Sequence, residues 1–219
     1  MRFLVTMLIL CIALPAGARP IMVPGEHTYV DEVAPGTPPD TTFVTRTINS
    51  IQDGVNLAIE LTYEHPLAGL GYPGFVDSVL VTPGVYDSVH VFATPLGIRS
   101  AVVGITNDIV LMGQNRSSVV IDHAEAEYGI LCQNVSRDAL ISTLTVRGGV
   151  SRSKGVTDDG DGRFLIAGIA CIDDASPTIS IVDIKDDATG IIIRSSGGNS
   201  APSIYRVGVV RGSHHGIYV

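Results

Sequence analysis

Apolar residues are spaced along the chain in two ways, and each spacing predicts a different secondary structure. Near the start of the second quarter, apolar residues recur every three or four positions: Ile48, Ile51, Val55 and Ile59. This spacing places the four side chains on one face of a helix. It predicts a single amphipathic helix over residues 48–62, with Thr47 or Ser50 as its N-cap.

From residue 77 onward the pattern changes to short β-branched runs separated by Gly, Asn, Asp and Pro, which predicts a succession of short strands. The first runs cover residues 79–81, 89–91, 109–111 and 119–121. Val, Ile and Thr together supply 65 of the 219 residues. That share is typical of a chain that folds mainly into strands.

A short motif of Gly followed by apolar residues occurs four times, at Gly129-Ile130-Leu131-Cys132, Gly168-Ile169-Ala170-Cys171, Gly190-Ile191-Ile192-Ile193 and Gly216-Ile217-Tyr218-Val219. The intervals between the glycines are 39, 22 and 26. The longest interval falls to about 22 when a polar insertion around 148–162 and its flanks is set aside. The first three motifs are each followed by a second apolar run, at residues 140–146, 179–184 and 204–209. The chain therefore contains an internal repeat with two strands or more in each unit.

A period near 22 to 26, built from short strands, fits one coil of a parallel β-helix, in which successive coils stack and enclose an apolar interior. Counting from residue 77 predicts about six coils. A leucine-rich repeat would need regular leucines, which this chain lacks. A β-sandwich would explain neither the repeated glycine motif nor the opening helix.

Four segments resemble the opening of the pectin-lyase-like, right-handed parallel β-helix proteins: residues 50–56 (SIQDGVN), 77–86 (DSVLVTPGVY), 109–113 (IVLMG) and 118–122 (SVVID). The resemblance covers residues 47–219. It implies an all-β solenoid in which the helix caps the first coil, where backbone edges would otherwise be unpaired. Members of this superfamily include polysaccharide lyases, polygalacturonase-like hydrolases, pectin methylesterases, adhesins and periplasmic accessory proteins.

Residues 1–18 predict a secretory signal peptide, because a positive start is followed by an apolar run and a small-x-small cleavage site. Lipid attachment at Cys11 remains an alternative, although Leu10 is bulkier than the residue usual at that position. Residues 19–46 are rich in proline and predict an extended leader with little packing. We therefore expect a secreted, extracellular or cell-surface protein, or a periplasmic one, with no membrane span after cleavage.

Acidic residues outnumber basic residues by 22 to 14, and the net charge is −8. This balance argues against a nucleic-acid partner, which would need a basic surface. The expected partner is a polysaccharide or a cell-surface glycan. Because the motif beginning at Gly216 reaches Val219 in mid-strand, we also expect further coils of the same chain beyond it.

Asp158, Asp159 and Asp161 lie close together with two glycines inside the polar insertion. Carboxylates in such a loop can surround Ca²⁺, which makes these three residues a candidate metal site. A complete loop of the EF-hand type would carry a glutamate several positions later, and residues 163–172 contain no acidic side chain. A solvated turn is the alternative interpretation.

Two other segments resemble catalytic motifs of the superfamily. The pairs Asp173-Asp174 and His214-His215 loosely resemble the acidic and histidine segments of polygalacturonase-like hydrolases, and the alternative is that all four residues lie in turns. Asp122-His123 resembles a pectate-lyase motif, but the tryptophan of that motif is missing. The catalytic residues therefore remain unknown.

The repeat also places cysteines and exposed aromatic residues. Cys132 and Cys171 each lie three residues after their repeat glycine, which favours stacked, buried free thiols, with a disulfide as the alternative. Tyr205 and Tyr218 are the aromatic residues of the later coils that a sugar ring could contact. The sequence predicts a non-catalytic scaffold that binds polysaccharide or mediates adhesion. The alternative is a polysaccharide lyase or glycoside hydrolase acting on acidic glycans such as pectin.

Overall fold

A computed structural model describes residues 21–31, 42–64, 78–148, 166–187, 189–195, 199–210 and 215–219. Strands dominate this part of the chain, and α1 (Ile51–Glu64) is its one helix. The strands of the first half are β1 (Ile21–Val23), β2 (Gly25–Asp31), β3 (Thr42–Ile48), β4 (Ser78–Val81), β5 (Gly84–Tyr86), β6 (His90–Thr94), β7 (Gly97–Ile105), β8 (Val110–Gly113) and β9 (Val119–Asp122). Those of the second half are β10 (Tyr128–Gln133), β11 (Leu140–Arg147), β12 (Ala167–Ile172), β13 (Thr178–Lys185), β14 (Thr189–Arg194), β15 (Ser203–Tyr205), β16 (Gly208–Val210) and β17 (His215–Tyr218).

Two sheets, mostly parallel, carry the fold. Sheet 1 runs β1-β4-β8-β11-β13-β15. Three further strands belong to it: β9 pairs with β11, β5 pairs with β9, and β16 pairs with β13. Sheet 2 runs β17-β14-β12-β10-β7-β6. Strands β2 and β3 form a separate antiparallel pair, and β6 pairs with β7 in an antiparallel hairpin. The structure confirms a strand-dominated, parallel fold with an early helix, whereas the right-handed β-helix stays a prediction.

The predicted stacking of the four glycine motifs is confirmed. The motifs lie on β10, β12, β14 and β17, which are consecutive neighbours in sheet 2. Ile130 pairs in register with Ile169, Ile169 with Ile191, and Ile191 with Ile217. The first three of these isoleucines are part of the main hydrophobic core. Burying one such side chain contributes about 1.5–3 kcal/mol to stability. This column of isoleucines therefore favours the observed register over a shifted one.

The second strands of the repeats stack in sheet 1 in the same way. Ile141 pairs with Ile179, and Ile179 with Ile204. Midway along β11 and β13, Thr143 and Ile181 have positive φ angles of 58° and 56°. β-branched residues rarely adopt this conformation, so each marks a costly bend. Because both bends occur at the same register position, sheet 1 curls around the core.

The predicted helix is confirmed, but it begins three residues later than expected. The Ser50 hydroxyl accepts a hydrogen bond from the Asp53 N–H (3.1 Å) and donates one to the Asp53 carboxylate (2.7 Å). Ser50 is therefore the N-cap, and Thr47 instead belongs to β3. Ile51 and Val55 on the predicted apolar face are buried in the core.

The helix covers an unpaired stretch of backbone in sheet 2. The Gln52 side-chain carbonyl accepts a hydrogen bond from the Gly104 N–H (2.6 Å), and its amide donates to the Gly104 carbonyl (3.2 Å). Gly104 lies on β7 beyond the part of that strand that pairs with β6. Gln52 thus takes the place of a neighbouring strand at this part of β7.

The expectation of little packing across residues 19–46 is wrong for β1. Ile21 and Val23 are buried in the core, and they pair in parallel with Val79 and Val81 of β4. Residues 21–23 lie between Pro20 and Pro24, and these prolines give the segment the composition of an extended linker.

The proposed signal peptide over residues 1–18 lies outside the described residues. No helix in the described parts of the chain has the length and apolar character needed to cross a bilayer.

Replacing Gln52 with alanine tests the capping role. We expect Gln52→Ala to lower the free energy of unfolding by about 1–3 kcal/mol, because the buried N–H and C=O of Gly104 lose their partner. Chemical denaturation measures this change. Asn56→Ala is the matched control: it removes only the acceptor that Gln52 contacts on the helix surface, and its effect should stay within about 0.5 kcal/mol. Equal effects of the two variants would show that Gln52 does not act as the cap.

Candidate functional site

The candidate metal site at Asp158, Asp159 and Asp161 lies outside the described residues, so it stays a prediction. Within the described ranges, no cluster of three or more His, Cys, Asp or Glu side chains has the geometry to hold a metal ion.

Asp173 and Asp174 form part of the turn after β12. Both have positive φ angles, 53° and 61°. The Asp173 N–H donates to the Arg194 carbonyl (3.2 Å), while the Asp173 carbonyl accepts from the Asn134 N–H (2.9 Å). The Asp174 carboxylate accepts a hydrogen bond from the Asn199 N–H (2.5 Å). These contacts match the interpretation of the pair as a turn.

The structure does not bring the histidine segment to this acidic pair. His214 lies outside the described residues, and His215 is the first residue of β17 rather than part of a loop. Asp173 follows the last residue of β12. Because the strands of sheet 2 between β17 and β12 are parallel, His215 and Asp173 lie at opposite ends of the sheet. They cannot flank one glycosidic bond.

The structure reveals a polar pair that the sequence interpretation missed. Nε2 of His123, just after β9, lies 2.5 Å from Oδ1 of Asp187, two residues after β13. Their side chains are 0% and 1% exposed. The contact lies outside standard hydrogen-bond angles, and neither carboxylate oxygen of Asp187 has another hydrogen-bond partner in the described structure. The two groups therefore make a close, buried polar contact without the geometry of a hydrogen bond.

Burial raises the pKa of the Asp187 carboxyl, because the ionised form loses its hydration. The contact with His123 acts in the opposite direction, and the nearby carboxyls of Asp186 and Asp122 raise the pKa further. The net direction of the pKa is upward. Asp187 therefore keeps its proton to a higher pH than an ordinary aspartate does.

Glycines of the repeat make room for this pair. A β-carbon on Gly129 would collide with the Val146 side chain and lie 3.2 Å from Cδ2 of His123. A β-carbon on Gly168 would collide with Ile184 and lie 3.0 Å from Oδ2 of Asp187. Gly129 and Gly168 therefore serve packing against the core and the pair, and neither has a positive φ angle.

The prediction of stacked, buried free thiols is confirmed. Cys132 and Cys171 are paired in register on β10 and β12, and both are buried and free. Their mutual hydrogen bond and their burial raise the pKa of Cys132. A protonated, buried thiol is a poor nucleophile, so this pair belongs to the core and not to a reactive site.

The charges on the outward face of sheet 1 are paired locally. Asp122 and Arg147 are register neighbours and form an ion pair with 3.0 Å between Oδ2 and Nε. Arg116 and Lys185 approach Oδ2 of Asp183 at 3.4 Å and 3.8 Å. Partly exposed pairs of this kind contribute little to stability. They spread the charge along the sheet and do not focus it at one point.

A hydroxyl-lined column on sheet 1 ends at an exposed aromatic ring. Ser142 pairs in register with Ser180, and Ser180 with Tyr205. Tyr205 is 57% exposed, and the guanidinium carbon of Arg206 lies 5.0 Å from the centre of its ring. We call Ser180, Tyr205 and Arg206 the Tyr205 patch. It combines a hydroxyl, a flat ring and a cation on one surface.

One face of sheet 2 is closed to polar ligands. Tyr128, Leu131 and Ile192, which are buried, form a second apolar cluster separate from the main core. Phe92 of the β6–β7 hairpin packs against this cluster. The ring of Phe92 occupies the space that a β-carbon on Gly104 would need.

A groove of about 420 Å³ runs beside α1 and is lined by Thr47, Ile48, Asp53, Asn56, Leu57 and Glu60. The Asp53 carboxylate accepts a hydrogen bond from the Ser50 hydroxyl (2.7 Å), so it belongs to the N-cap of α1.

Comparison with known proteins finds no matching family model, no matching curated protein and no matching solved structure. The resemblance to pectin-lyase-like proteins therefore depends on the sequence segments and the stacked strands alone.

Two glycines at equivalent repeat positions test the packing role. Gly168→Ala should lower the free energy of unfolding by about 1–3 kcal/mol, because the added methyl group overfills the core. Gly216→Ala is the matched control. A β-carbon on Gly216 would have no atom within 4 Å, so the effect of this variant should stay within about 0.5 kcal/mol. Denaturation curves that move equally for both variants would contradict the packing argument.

Proposed function

We propose that this chain is a secreted or cell-surface protein whose parallel strands wind as a right-handed β-helix of the pectin-lyase-like kind, and that it serves as a non-catalytic scaffold for polysaccharide binding or adhesion. The winding is supported by the repeated register across β10, β12, β14 and β17. It is also supported by the helix that covers the edge of β7.

The Tyr205 patch is the observation that carries the binding role. Sugar rings present both apolar C–H faces and hydroxyl groups. An exposed ring can contact the apolar face, while a neighbouring hydroxyl and guanidinium can bind the sugar hydroxyls or carboxylate. Tyr205 and Arg206 provide these groups, and Ser180 lies beside Tyr205 on the next strand.

The scaffold role is favoured over the enzymatic alternative by the arrangement of the charged groups. A glycosidase needs two carboxyl groups on either side of one bond, and a lyase needs a base directed at its substrate. In the described residues, the carboxylates of Asp122 and Asp183 are paired with cations on the sheet surface. Asp187 is buried and out of reach of a polymer.

The expected location and partners follow from the sequence. The apolar start of the chain supports export to the extracellular space, the cell surface or the periplasm. The acidic balance supports a glycan partner over nucleic acid. Ca²⁺ at Asp158, Asp159 and Asp161 would be an accessory ligand of the polar insertion and is part of the same proposal.

Binding to immobilised polysaccharides, including polygalacturonate with and without Ca²⁺, tests this function. We expect retention of the protein without the release of unsaturated products. Tyr205→Ala should weaken binding by roughly three- to tenfold, because one aromatic contact is lost. Tyr205→Phe keeps the ring and should bind nearly as well as the natural protein.

Other outcomes would count against the proposal. Unsaturated or hydrolysed products would favour the lyase or hydrolase alternative. If no glycan retains the protein, or if Tyr205→Ala binds as tightly as Tyr205→Phe, the Tyr205 patch is not a glycan site.

A further inference from the structure

Both ring nitrogens of His123 face oxygen atoms. Nδ1 lies 3.5 Å from the Ala126 carbonyl oxygen, and Nε2 lies 2.5 Å from Oδ1 of Asp187. A carbonyl oxygen only accepts hydrogen bonds, so the Ala126 contact favours a proton on Nδ1. Nε2 then faces Oδ1 of Asp187 in a buried polar contact whose angles lie outside the hydrogen-bond range.

We propose that His123 and Asp187 form a pH-dependent clamp, in which their buried contact links two non-adjacent strands of sheet 1 and makes the cohesion of the stack depend on pH. The two residues follow β9 and β13, and β11 lies between these strands. The pair therefore links positions that no backbone ladder joins directly.

Gly148, which follows the intervening strand β11, has no side chain and therefore leaves room beside His123. Gly148 follows β11 with a φ of +117°, and a β-carbon there would lie 2.8 Å from the Ala124 nitrogen and 3.0 Å from the His123 nitrogen. The His123 N–H donates to the Arg147 carbonyl (2.9 Å), and the Gly148 N–H donates to the Lys185 carbonyl (3.4 Å). These bonds place the clamp at the corner where three strands end.

The charged groups around the clamp are mainly negative. Asp122 ends β9 and Asp186 precedes Asp187, and both lie near enough to act on the Asp187 carboxyl. Arg147 and Lys185, the last residues of β11 and β13, contact Asp122 and Asp183 respectively. Gly129, on the adjacent β10, contributes no charge. Loss of the Asp187 proton would therefore leave a buried negative charge beside two other carboxylates, which is unfavourable.

The direction of the pH dependence follows from linkage. Because the pKa of Asp187 is raised in the fold, the folded chain keeps a proton at pH values where the unfolded chain has lost it. The contribution of this group to stability is fully present below the ordinary carboxyl pKa of about 3.9. It is lost as the pH rises through the raised pKa of the folded state.

The test compares the natural protein with Asp187→Asn by chemical denaturation between about pH 4 and about pH 8. The unfolding equilibrium constant of the natural protein should rise relative to that of the variant as the pH increases. The rise should be about tenfold for each unit by which the pKa of Asp187 is elevated. Asp138→Asn, which removes an exposed carboxylate elsewhere, should follow the natural protein at every pH.

A measurement on the unaltered protein applies if Asp187→Asn does not fold. In a carbon-13 NMR titration, the carboxyl carbon of Asp187 should change at a higher pH than the ordinary aspartate pKa of about 3.9. A titration of Asp187 at or below that pH would overturn the clamp. A folded Asp187→Asn variant whose stability follows the same pH curve as the natural protein would also overturn it.

Discussion

Parallel strands paired in register impose one constraint on the rest of this protein. The side chain at each position must pack against the residues that are in register with it on both neighbouring strands. Ile130, Ile169 and Ile191 form an apolar column for this reason. The same constraint places Cys132 directly beside Cys171. Polar groups that enter the interior also need space in neighbouring repeats, and the repeat glycines provide it for His123 and Asp187. The register thus determines both the core and its one buried His–Asp contact in the described residues.

Much of the fold could be predicted because stacking repeats a local pattern. The glycine motifs, the opening helix and the buried thiols each follow from spacing along a short segment. The β1 strand was missed because three apolar residues between prolines carry too little pattern to be recognised without their partner strand, β4. The β6–β7 hairpin was also missed, because alternation along a strand does not indicate whether the next strand is parallel or antiparallel.

The site was harder to predict than the fold. Periodicity indicates which face a side chain occupies, but not which distant side chain it meets. His123 and Asp187 are far apart in the sequence and follow strands separated by β11. Their one local signal is that each polar residue comes just after a core strand, and many turn residues share that feature. Asp173 and His215 had a more suggestive sequence pattern, yet the parallel arrangement keeps them at opposite ends of sheet 2.

The two sheets differ in the kind of surface that they present. The face of sheet 2 that carries Tyr128 and Leu131 is apolar and buried, so it contributes cohesion. The outward face of sheet 1 carries ion pairs, hydroxyls and the exposed Tyr205 ring. In the proposed scaffold role, such a surface would present repeated contacts along a polymer. The buried clamp adds a way for the stability of that surface to respond to pH.

The register itself is the claim most open to direct measurement. Amide-to-amide NMR contacts across sheet 2 report which strands are neighbours and in which direction they run. The stacked arrangement predicts contacts linking the neighbourhoods of Ile130 and Ile169, and those of Ile169 and Ile191, with none between Ile130 and Ile191. Contacts that pair residue 128 with residue 172, as an antiparallel arrangement of β10 and β12 would require, would contradict the account.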